Sequence, residues 1–129
     1  MSDLLKIAKN NPEMEKVGAI ATFTGVVKGY TSRGKVEKLI VEAHSKEAIK
    51  ALTSIVTELC ANQKIIDVLI HHFIGEFNVG EDLVYVIVIG KSRKDVFNAL
   101  ELAIERYKKE AAIWKKEYLT NGTSYWVES

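Results

Sequence analysis

The sequence predicts an α+β fold: a mixed or antiparallel sheet, built from hairpins and covered by two long helices. Four observations carry this reading. Two stretches repeat apolar residues at helical spacing, Ala48-Leu52-Ile55-Leu59 and Val96-Leu100-Ala103-Tyr107. Around them stand pairs of short β-branched and aromatic runs. One run, Leu83 to Ile89, is apolar on both faces and so belongs in a sheet interior. An Asn121-Gly122 pair divides the last two runs, which is a strong hairpin signal.

Taken in order, Ser2 and Asp3 read as the cap of a short helix to about Lys9, ended by Asn10-Asn11-Pro12. Val17 to Val27 (VGAIATFTGVV) alternates as a strand. Gly29-Tyr30-Thr31-Ser32-Arg33-Gly34 reads as a loop, and Val36 to Ala43 as a second strand pairing back on the first. Lys46 to Gln63 is an amphipathic helix of about four turns, Ile65 to Ile74 a strand, and Gly75 to Gly80 a connection. After the buried strand, Gly90-Lys91-Ser92 turns the chain into the second long helix, with Phe97 and Ile104 beside its apolar face. Ile113 to Tyr118 and Thr123 to Val127 flank the Asn-Gly turn. The expected order is α-β-β-α-β-β-α-β-β in one domain spanning 1–129.

Composition removes whole classes of function. At 129 residues and 47% hydrophobic, the chain can bury roughly two thirds of its unfolded surface and needs no metal or disulfide staple. Eighteen Lys+Arg against seventeen Asp+Glu leave a formal charge of +1. That balance provides no drive toward nucleic acid or an anionic membrane. No apolar run approaches bilayer length, and the first residues carry no secretion pattern. A cytoplasmic protein is expected. The single cysteine, Cys60, excludes an internal disulfide, a CxxC pair and a cysteine-rich zinc site. His71 and His72 are strand neighbours pointing to opposite faces, so they do not share a metal. Neither a metal nor a resident cofactor is expected. There is no GxGxxG, Walker loop or GxSxG motif.

The informative stretch is Glu105 to Glu117, ERYKKEAAIWKKE, with five cations (Arg106, Lys108, Lys109, Lys115 and Lys116) against three carboxylates. Lys108 stands near a helix end, and Lys115 follows the return into a strand. That fold-back can bring two ammonium groups to one cleft, where each lowers the other's pKa and a reactive amine becomes available. The plain alternative is a solvated helix end whose cations complement the helix dipole. Ser92-Arg93, at the start of the last helix, is either an N-cap with an exposed first-turn residue or part of an anion site. The glycines Gly18, Gly25, Gly75 and Gly80 suggest bulges or close backbone approaches, with no chemistry attached.

Together these segments resemble the large, catalytic subunit of molybdopterin synthase, the MoaE family. The matching pieces begin with Gly18-Ala19 and Phe23-Thr24-Gly25-Val26-Val27, then Val41-Glu42-Ala43. Next come His72 with Ile74-Gly75 and Val79-Gly80-Glu81, and Arg93 with Phe97 and Ala99. Lys108 with Ile113-Trp114-Lys115-Lys116-Glu117, and Trp126-Val127-Glu128, complete the pattern; the IWKKE block is its most specific part.

The resemblance implies a sulfurtransferase acting on cyclic pyranopterin monophosphate, a pterin phosphate, to form the dithiolene of molybdopterin. Sulfur would arrive as a thiocarboxylate on the Gly-Gly tail of a small ubiquitin-like subunit, one at each end of a central homodimer. This suits a chain with a lone, core-type cysteine, because the partner carries the sulfur. By position, Lys108 and Lys115 match the family's active-site lysines, and Arg93 its arginine at the helix start. Lys28, Ser92 and Lys116 join Arg93 as candidate substrate-binding residues. The chain departs from the family at Ser92, where histidine is usual, and at Lys28 and Phe73, where arginine is usual. It also has His44 for a tyrosine and Ala112 for a proline. A second activity fits the same resemblance: a non-catalytic dimeric scaffold for the sulfur carrier.

Overall fold

The computed structural model describes residues 1–127. It contains α1 (Ser2–Lys9), a 3-10 turn (Met14–Lys16), β1 (Ala19–Val26), β2 (Tyr30–Thr31), β3 (Gly34–Ala43) and α2 (Ser45–Cys60). It continues with β4 (Ile65–His72), β5 (Gly75–Asn78), β6 (Asp82–Gly90), α3 (Arg93–Glu110), β7 (Ile113–Leu119) and β8 (Ser124–Val127). The α+β class and both long helices are as the periodicity predicts. Ser92 caps α3, its Oγ accepting from the Asp95 amide at 3.4 Å. At α1, by contrast, the cap position is Met1 and no side chain bonds the first turn.

The strands form two antiparallel sheets, one of three strands in the order β1-β6-β4 and one of five. In the larger sheet β7 lies between β3 and β8, while β2 and β5 pair with successive stretches of β3. The expected pairing of β1 with β3 does not form. β6 is apolar on both faces, so it needs a neighbour on each edge, and β1 and β4 supply them. Val27 to Gly29 then carry the chain across to the second sheet. There the expected loop makes its own short ladder, Tyr30 opposite Lys35 and Thr31 opposite Gly34. Gly75–Asn78, expected as a connection, pairs with β3 between Lys38 and Val41.

Alternation along β6 sorts the core. Val84, Val86 and Val88 face α2 and α3, packing with Ile55, Leu59, Val96, Ala103 and Tyr107. Ile87 and Ile89 face the other way, under α1 and Ala8. A smaller cluster of Val27, Leu39, Val41 and Leu83, with Phe77 and Ile113 against it, joins the start of β6 to the inner face of the second sheet. Phe97, expected beside the apolar face of α3, is instead 60% exposed.

Gly18 is a close-approach position. A Cβ there would stand 2.2 Å from the Lys91 carbonyl oxygen, a backbone atom with no freedom to swing aside. Gly18→Ala is therefore expected to lower unfolding stability by about 1–3 kcal/mol, the usual cost of overpacking, read as a shift in the urea midpoint. An unchanged midpoint would mean that the β1 entry relaxes freely.

Candidate active site

The fold-back expected between α3 and β7 is present. Ala111 ends the helix with its amide on the Tyr107 carbonyl (3.1 Å), and the Ala112 carbonyl accepts from the His44 amide (3.1 Å). The residue just before β7 is thus tied to the junction between β3 and α2. Alternation then places Ile113, Lys115 and Glu117 on the inner face, with Lys115 opposite Val41 on β3 and Val127 on β8.

That inner face is largely apolar. Lys115 is half-buried in it, and among the described residues no carboxylate forms an ion pair with its ammonium. Burial, with the positive charge of Lys108 second, pushes the Lys115 pKa below that of an ordinary lysine. Lys108 itself is exposed in the last turn of α3. The lysine pair singled out in the sequence is therefore electrostatically coupled, with Lys115 as the desolvated member.

A small pocket of about 160 Å³ opens at this junction, lined by Ala43, Ser45, Ala48, His72, Ile74 and Ile113, among others. His72 enters it from the end of β4. Its Nδ1 lies 2.9 Å from the Phe73 carbonyl, and its ring sits edge-on to Tyr107, centroids 5.9 Å apart. Burial lowers the imidazole pKa, and the charge of Lys115 lowers it further. His71 points to the opposite face, stacking edge-on against Phe73 at 4.5 Å, as strand alternation requires. Among the described residues no group of three or more His, Cys, Asp or Glu side chains could hold a metal.

Three of the remaining candidates are not brought to this pocket. Arg93 and Ser92 stand at the far end of α3; residues 93 and 108 are fifteen apart in one helix, which at 1.5 Å per residue is about 22 Å. Lys116 is on the outer face, for the simple reason that it is the strand neighbour of Lys115. Its ammonium lies 5.5 Å from the ring centroids of both Tyr118 and Trp126. Lys28 is exposed just after Val27, whose side chain is in the cluster with Val41 and Ile113. Phe73 packs against His71 and Tyr85, on the α1 side, so its lack of charge leaves the lysine pocket unaltered.

Glu117, in the most specific block of the sequence, proves to be a structural group. It is 7% exposed and accepts hydrogen bonds from the Thr31 hydroxyl (3.2 Å) and from Tyr125. Arg33 stacks over the Tyr125 ring at 3.9 Å and closes this polar cluster, which pins β2 to β7 and β8. Arg106 is likewise engaged elsewhere, bound to Glu110 at 2.7 and 2.9 Å and to Glu58.

If Lys108 lowers the Lys115 pKa through charge, Lys108→Gln should raise it and reduce the share of free amine at neutral pH. The expected result is an alkaline-ward move of the Lys115 titration, read by ¹³C-methylation NMR. Coincident titrations in the two proteins would show the lysines to be uncoupled. Linkage has a matching sign. The folded pKa lies below the unfolded one, so stability rises with pH between them, and Lys108→Gln narrows that interval.

Residues 2–110 match the family described as MoaE protein. The molybdopterin synthase catalytic subunit of Pyrococcus abyssi is 39% identical over 111 residues, which are 86% of this chain and 74% of that protein. The crystal structure of molybdopterin synthase from Staphylococcus aureus superposes with a TM-score of 0.82 at 36% identity, covering 89% of this chain and 83% of that one. A complex of subunits 1 and 2 of the molybdopterin-converting factor from Helicobacter pylori shares the fold, with a TM-score of 0.77 at 20% identity over 99% of this chain and 84% of that one. With the fold, the lysine fold-back and these likenesses in agreement, the chain belongs to the MoaE family.

Proposed function

We propose that this protein is the catalytic subunit of a molybdopterin synthase. It transfers sulfur from the thiocarboxylated tail of a small ubiquitin-like subunit to cyclic pyranopterin monophosphate, forming the dithiolene. The observation that carries the reading is Lys115, a half-buried lysine whose pKa is depressed by desolvation and by Lys108, in a chain of this family. A poorly hydrated ammonium attracts the anionic thiocarboxylate strongly, and its deprotonated fraction is a nucleophile within reach of the tail or the pterin. Lys108 contributes charge and proton transfer. The cysteine plays no part: Cys60 packs against the main cluster, and burial pushes its thiol pKa up, away from thiolate chemistry.

Arg93 and Lys28 are the proposed anion ligands for the substrate phosphate, with Ser92 beside Arg93. Because α3 separates Arg93 from Lys108 within one chain, Arg93 and Ser92 can serve this pocket only from a second copy. A homodimer with a small subunit at each end, a heterotetramer, meets that requirement. Lys116, on the outer face, is left out of the pocket. The test is to mix the chain with thiocarboxylated small subunit and cyclic pyranopterin monophosphate, then measure dithiolene product and complex size. Product with a heterotetramer is expected. A stable complex without product would instead support the scaffold reading, and neither would overturn both.

A further inference from the structure

Among the described residues, one buried side-chain polar atom has no hydrogen-bond partner: Nε2 of His72. Folded proteins rarely leave such an atom unpaired, so its surroundings bear on its use. The other ring nitrogen, Nδ1, faces the Phe73 carbonyl at 2.9 Å. A carbonyl can only accept, so Nδ1 carries the hydrogen and Nε2 carries the lone pair. The ring is held in place by its edge contact with Tyr107. It lines the same small pocket as Ile113, which precedes Lys115 by two residues on the same face of β7. Among the described residues, the titratable groups around it are Tyr107 from α3, Lys115 from β7 and His71 from its own strand, and Ser45 of α2 shares the pocket. None of these is a carboxylate that would hold an imidazolium, so the ring stays neutral at pH 7 with Nε2 open.

We infer that His72 is the proton acceptor of the lysine site, taking the proton of the water that releases the sulfur-carrier tail. This rests on the sulfur-transfer reading above. The step begins at the thioester that joins the acyl carbon of the tail, through sulfur, to the substrate. Water oxygen bonds to the acyl carbon, the acyl–sulfur bond breaks, and the electron pair leaves with sulfur on the substrate. One water proton passes to Nε2 and then to solvent, the second is taken up by the released thiolate sulfur, and the tail departs as a carboxylate. No oxidant or reductant is consumed.

The experiment has two arms. In the first, long-range ¹H–¹⁵N correlation spectra of the histidine-labelled chain read the His72 tautomer and titration. A neutral ring protonated on Nδ1 is expected at pH 7, with a titration that moves to higher pH in Lys115→Ala. A ring protonated on Nε2, or a charged ring at pH 7, overturns the inference. In the second arm, His72→Gln is compared with wild type using thiocarboxylated small subunit and cyclic pyranopterin monophosphate. Glutamine keeps a polar group but cannot take the proton. The expected result is a fall in kcat of about 100-fold or more, with KM and small-subunit affinity unchanged and the acidic limb of the pH profile lost. A His72→Gln variant with wild-type kcat and an intact acidic limb overturns the assignment. Absence of product from the wild-type chain itself would be a different failure, that of the sulfur-transfer reading, and the first arm separates the two.

Discussion

Lys115→Ala is expected to lower dithiolene formation by a factor of about 1000 or more while leaving the chain folded and able to bind its partner. The size of the effect follows from placement. Lys115 sits on the inner face of β7 between Val41 and Val127, where desolvation and Lys108 depress its pKa. Removing a half-buried ammonium that has no carboxylate partner among the described residues relieves a desolvation cost, so stability should hold or rise, unlike the usual result of a truncation. Thermal melts and single-turnover assays on the same preparation test both halves. Lys115→Arg adds a sharper test. Arginine keeps the charge but does not deprotonate, so binding of the thiocarboxylated tail should survive while turnover is lost. Turnover close to wild type in Lys115→Arg would remove the free amine from the mechanism, and wild-type turnover in Lys115→Ala would remove the residue from it.

The second large effect is structural and lands on the same site. Tyr107 is 4% exposed, joins the main cluster, and supports the His72 ring from the last turns of α3. Its hydroxyl pKa is raised by burial, so it remains neutral throughout the working range. Tyr107→Ala would leave a cavity the size of a ring between α3 and β4, for which aromatic truncations cost about 3–5 kcal/mol. The loss should appear as a lower urea midpoint with unchanged slope. Activity should fall further than the fraction of folded chain explains, because His72 and the Lys108 turn both lose their support. A midpoint within about 0.5 kcal/mol of wild type would show that the site can collapse around the gap.

The legible parts of this protein are local ones. Apolar residues at helical spacing located α2, with its end three residues beyond Cys60, and the start of α3, and the seven-residue apolar run identified β6 as an interior strand. Alternation also separated His71 from His72. The same rule, applied to Lys115 and Lys116, puts them on opposite faces, and the resemblance had grouped them together. The missed strands, β2 and β5, are two and four residues long, and their apolar pattern is too short to distinguish from a turn.

What the sequence by itself determined is the class of fold, the family, and the fold-back that joins Lys108 to Lys115, since each depends on residues close along the chain. Which strands pair, and therefore which side chains meet, was decided only in three dimensions. β1 crosses to β6 some sixty positions later, rather than to its neighbour β3, because a strand apolar on both faces stays buried only when both edges are covered. The same closure brings His72 from β4 under Tyr107 and beside the face of Lys115, and leaves Arg93 a helix length away. A spacing rule sees one element at a time, whereas desolvation, which gives Lys115 and His72 their unusual acidities, is a property of everything packed around them.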